Sequence, residues 1–101
     1  MARLDPDTRY MQILEAALVV AARVGYNNIT REGIAKEAEC APALVSHYFG
    51  TVDDARDAVM NRAVETKQLT VLAEGLAIGH PLAKAAPLTL KRRAAKILIG
   101  V

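Results

Sequence analysis

The sequence predicts an all-α protein: a three-helix helix-turn-helix unit, a long fourth helix, and short C-terminal helices that form a dimer interface. Three observations carry this prediction. Apolar residues recur at three- and four-residue steps, and no stretch alternates as a half-buried strand would. Gly25, Pro42, Gly50, Pro81 and Pro87 stand where such helices would stop or start. The composition is 52% hydrophobic but only 4% aromatic, so the core must be made of aliphatic side chains on closely packed, alanine-rich helices. At 101 residues the chain has the size of one compact domain, for which dimerisation would add stability.

The first helix is predicted over residues 8–24. Asp5, Pro6 and Asp7 supply a cap and early-turn acids, and Tyr10, Ile13, Leu14, Ala17, Val20, Ala21 and Val24 form its inward stripe. Gly25 is the expected left-handed stop, with Asn27 and Asn28 continuing the turn. Ile29 as apolar staple and Thr30 as hydroxyl cap open a second helix over residues 31–39, with Ile34, Ala35 and Ala38 inward. Proline is tolerated in the first turn of a helix, so Pro42 places the third over residues 41–49, ended by Gly50.

Thr51 caps a fourth helix whose first turn carries Asp53, Asp54 and Asp57, as the helix dipole favours, and whose inward positions are Ala55, Val59, Ala63 and residues 69–72. This helix is expected to fade between Gly75 and Gly79. A short helical piece over residues 81–86 and a last helix from Pro87 to residue 98 follow. The division expected is residues 1–52 as the helix-turn-helix domain and 53–101 as a helical dimerisation region.

A tight turn between a second and third helix is the geometry that lets a recognition helix enter a major groove while its partner braces it. Here the turn is Glu39-Cys40-Ala41. Cys40 falls where an apolar plug is needed, and Val45 and Phe49, one turn apart, anchor the third helix. That leaves Pro42, Ala43, Ser46, His47 and Tyr48 outward, with Leu44 at the margin.

These residues resemble those of a known family. The stretch Ile29-Thr30-Arg31-Glu32-Gly33-Ile34-Ala35-Lys36-Glu37-Ala38, followed by Ala43-Leu44-Val45-Ser46-His47-Tyr48-Phe49-Gly50, is similar to the N-terminal domain of TetR-type repressors over about residues 8–60. The resemblance implies a homodimer that binds double-stranded, near-palindromic operator DNA. It puts Thr30 and Arg31 at a phosphate, Glu32 within reach of a base, Pro42, Ala43, Leu44, Ser46 and His47 against the groove, and Tyr48 at a phosphate or base. Glu39, Ala41 and Val52 depart from the family's usual glycine, hydroxyl cap and basic residue. Those departures weaken phosphate anchoring, so Arg3, Arg9 or the C-terminal Lys91, Arg92 and Arg93 are expected to add contacts. The family also carries a further helical, inducer-binding domain of about the same size again, and the expectation here is a repressor without a small-molecule ligand.

Charge alone does not point to DNA. Residues 1–52 hold five basic and six acidic side chains, a net of −1, whereas residues 53–101 hold eight and five, a net of +3. Cys40 is the single cysteine, which excludes an internal disulfide framework and a multi-cysteine zinc site and fits a reducing compartment. Residues 1–7 lead into no signal-like apolar core, and the apolar stretch over residues 13–24 is interrupted by Glu15 and Arg23, so no membrane span is expected. No metal-ligand spacing, glycine-rich phosphate loop or nucleophile–base pattern is present, so neither an enzyme nor a cofactor is expected. The expected setting is the bacterial cytoplasm, with plasmid or phage origin included. The competing reading is a protein-interaction module that keeps the fold and binds host transcription machinery through its basic, apolar C-terminus.

Overall fold

In a computed structural model, which describes residues 5–100, the chain is all helical. The α-helices are α1 (Pro6–Val24), α2 (Arg31–Ala38), α3 (Pro42–Phe49), α4 (Val52–Glu65), α5 (Leu69–Ala77), α6 (Pro81–Lys84) and α7 (Leu88–Leu98), with a single 3-10 turn at Tyr26–Asn28.

Local chemistry sets most of the ends. The Asp5 carboxylate accepts the Thr8 N–H at 2.8 Å, which caps α1 and holds that carboxyl below the usual carboxylate range. Gly25, at φ 101, ends α1. Its conformation is not the left-handed helical one expected, because ψ is 142 and the chain runs directly into the 3-10 turn. Thr51 and Asp54 form a reciprocal capping box at α4, each side chain accepting the other's backbone N–H.

The fourth helix does not run on to Gly75; α4 stops at Glu65. Lys67 adopts φ 58, its N–H bonds to the Val64 carbonyl, and the Gln68 N–H reaches back to the Ala63 carbonyl. Those two bonds make a Schellman stop, here formed without glycine. The same pair of bonds ends α5 at Gly79, where His80 N–H meets the Gly75 carbonyl.

The core runs from α1 to α7. Ile13, Ala17 and Ala21 of α1 pack with Ile34 and Ala35 of α2, Val45 of α3, Val59, Met60 and Ala63 of α4, and Val71 and Leu72 of α5. Val24, expected inward, is exposed at the last turn of α1. Gly75 marks the closest approach: a Cβ there would collide with the Met60 methyl and lie 2.9 Å from Ala83 Cβ, so glycine lets α5 sit against α4 and α6. The last helix, α7, packs chiefly on α5 through Leu90 and Ala94. The described chain is elongated, 47 × 22 × 20 Å.

Candidate nucleic-acid interface

The α2–α3 pair is built from its turn outward. Thr30 Oγ1 accepts the Gly33 N–H at 3.0 Å and starts α2. Glu39, at φ 56 and ψ 48, turns the chain, with the Cys40 N–H bonded to the Ala35 carbonyl at 3.0 Å. A side chain in this region costs about 1–2 kcal/mol relative to an ordinary helical conformation. The Cys40 side chain packs half-buried against the core. No side chain caps α3, because Ala41 has nothing to offer, and Pro42 occupies its first turn.

Once started, α3 is held by one buried residue and two aromatic contacts. Val45 is 2% exposed. Phe49 stacks on Tyr10 of α1 with ring centroids 4.7 Å apart, and Tyr48 meets the same ring edge-on at 6.4 Å. His47 in turn stands edge-on to Tyr48 at 5.1 Å. Tyr48, read from sequence as outward, is therefore half-buried, its ring set between Tyr10 and His47. Pro42, Ala43 and His47 are exposed, whereas Leu44 and Ser46 are half-buried.

Arg31 joins the two helices. Its Nη1 donates to Ser46 Oγ at 3.1 Å, and Nη2 lies 3.6 Å from the Glu32 carboxylate. Thr30, Arg31 and Glu32 thus share an exposed border with the outer face of α3. The Thr30 hydroxyl already accepts one bond but keeps its proton for a further partner.

The additional cations divide. Arg9, bonded to Gln12 Oε1 at 2.8 Å, lies on α1 beside Tyr10 and so near the end of α3. Arg3 lies outside the described residues. Lys91, Arg92 and Arg93 are on α7. Lys91 donates to the Lys84 carbonyl at 2.8 Å, and Arg93 borders a groove of about 270 Å³ with Val64 and Lys67. Within one chain the structure does not gather these three residues with α2 and α3.

A polar brace behind the α2–α3 pair was not legible in the sequence. The Tyr26 hydroxyl donates to the Arg56 carbonyl at 2.8 Å, and Arg56 Nη2 reaches the carbonyls of Asn27 and Ile29. Glu74 of α5 accepts the Tyr26 N–H. His80 Nδ1 accepts the Leu82 N–H at 3.1 Å, and Nε2 faces Asp57 Oδ1 at 2.9 Å, which ties α6 to α4. Burial pushes the Tyr26 phenol up to about 12, with the nearby Asp57 charge acting the same way. The partners lie 23 to 48 residues apart, beyond any local pattern. Among the described residues no three His, Cys, Asp or Glu side chains come together to hold a metal. No described helix is long and apolar enough to cross a membrane.

An exposed third helix, braced by a second and joined through a tight turn, defines a helix-turn-helix unit. Residues 13–54, which contain this unit, match the family model of bacterial regulatory proteins of the tetR family. A curated relative, an HTH-type transcriptional regulator LuxR from Vibrio harveyi, is 40% identical over 62 residues, which cover 61% of this chain and 30% of the relative. The match therefore spans less than a third of that relative's length. No solved structure matches the chain.

Proposed function

We propose that this protein is a DNA-binding transcription regulator that docks α3 in the major groove, works as a homodimer, and represses by occupying a near-palindromic operator at a promoter. The observation that carries the proposal is the exposed Pro42–Ala43–His47 face of α3, bordered by Thr30, Arg31 and Glu32, in a segment matching the tetR family model. The relative's description as a transcriptional regulator supports the same class, and the mechanism needs no catalytic group, metal or small-molecule ligand. The setting is the bacterial cytoplasm.

On this reading the side chains divide by task. Thr30, Arg31 and Tyr48 hold phosphates. The uncapped first turn of α3 adds amides and the positive end of a helix dipole for the same purpose. Glu32, Pro42, Ala43, Leu44, Ser46 and His47 face base edges. Arg31 either keeps its Ser46 bond or exchanges it for a phosphate oxygen. Arg9 is the additional cation best placed to help, since its neighbour Tyr10 touches both Tyr48 and Phe49. In a dimer the two α3 helices would meet half-sites about 34 Å apart. The exposed apolar residues at the two ends of α7, Leu88 and then Ile97, Leu98 and Ile99, are the proposed contact between protomers.

Selection of bound duplexes from a random pool tests the function. Enrichment of an inverted repeat is the expected outcome. Recovery of no common sequence would replace operator binding with the protein-interaction reading.

A further inference from the structure

We infer that α3 selects thymine through its C5-methyl group, with Pro42 and Ala43 as the apolar surface that meets it. This rests on the DNA-binding reading above and specifies what that site prefers.

The inference comes from which groups α3 exposes and which it lacks. Recognition helices of this type touch base edges mainly with their N-terminal residues. In α3 those residues are Pro42 and Ala43, both exposed and both pure hydrocarbon beyond the backbone. Pro42 also removes one backbone donor from the first turn. Nowhere does α3 carry the Arg or Lys that bonds guanine O6 and N7, or the Asn or Gln that bonds adenine N6 and N7. Arg31, the cation nearest α3 in the described interface, is engaged by Ser46 and Glu32.

Set against a guanine, adenine or cytosine edge, Pro42 and Ala43 would strip water from a donor or acceptor and return no bond. Thymine alone of the four bases offers the major groove an apolar group. The same contact separates thymine from cytosine, which has an amino donor and no methyl. His47, one turn beyond Ala43 and exposed, supplies the ring nitrogens for hydrogen bonding to a neighbouring base.

The test uses the full chain and a duplex recovered by selection from a random pool. Each half-site thymine is replaced in turn by deoxyuridine, which removes only the methyl. Binding is followed by fluorescence anisotropy. The wild-type protein should bind about fourfold more weakly when the contacted methyl is removed, as expected for one lost buried carbon. That sensitivity should fall in Ala43→Ser, a change at an exposed position that leaves only Pro42 as a fully apolar contact. Ala43→Arg should move the selected base toward guanine. If a motif is selected but every uracil duplex binds like its thymine parent, the inference is overturned while the DNA-binding reading stands. If no duplex is retained, both are overturned.

Discussion

At the scale of single residues, two side chains occupy backbone conformations that glycine would adopt with less strain. Glu39 and Lys67 sit at φ 56 and φ 58, each closing a Schellman stop. Replacing Glu39 with glycine relieves the side-chain clash but frees the unfolded backbone. The balance should be stabilising by about 0.5–1 kcal/mol, read as a higher urea midpoint at unchanged slope. Tyr26 gives a second prediction. Its phenol is buried and pushed up to about 12, against an ordinary value of 10.0, so above pH 10 the unfolded chain releases a proton that the folded chain retains. The stability this group contributes is complete below pH 10 and is lost as pH rises toward 12. Thermal melts should show wild type losing its advantage over Tyr26→Phe across that window. A constant difference between the two proteins would place the phenol in a more open environment.

At the scale of elements, the difference between a capped and an uncapped start sorts the helices. Asp5, Thr30 and Thr51 each cap their helix through a side-chain oxygen, and α3 alone of the first four has none. Ala41→Ser should therefore stabilise the fold by about 1 kcal/mol, measured by denaturation. The helix-turn-helix was legible in sequence because its signals are local: Thr30 before α2, Pro42 within the first turn of α3, Gly50 after it, and Ile34, Ala35 and Val45 on inward faces. The end of α4 was not legible, because lysine at position 67 gives no sign that the backbone will turn left-handed there. The brace of Tyr26, Arg56, Glu74 and His80 was equally hidden, since its members meet only after α4 and α5 have packed. Tyr48 was half legible. A helical wheel places it outward, but Tyr10 arrives from α1 to cover part of its ring. His47, free of that cover, should matter more directly: His47→Ala is expected to weaken operator binding by about 1–3 kcal/mol in a titration, with the helical signal unchanged.

At the scale of the whole molecule, the excess positive charge and much of the exposed apolar surface lie together at α7, away from the head formed by α2 and α3. The head formed by α2 and α3 carries Arg31 and Lys36 against Glu32, Glu37 and Glu39, whereas α7 holds Lys91, Arg92, Arg93 and Lys96. On the proposed reading, phosphate binding by so balanced a head rests on few cations. The logarithm of affinity should fall with the logarithm of salt at a slope of about −0.9 for each phosphate neutralised, and Arg9→Ala should flatten it. Near the α7 end, Leu88 is 59% and Ile99 72% exposed, and on the proposed assembly a second copy covers them. Ile97→Glu should then yield a monomer by light scattering and lower operator affinity with it. The account stands most directly on which face of the protein meets the duplex. Amide chemical shifts of the full chain, recorded as a selected operator is added, should move at Thr30, Arg31, Glu32 and from Ala43 through Tyr48. Shifts that spare α3 while clustering on another helix would contradict it.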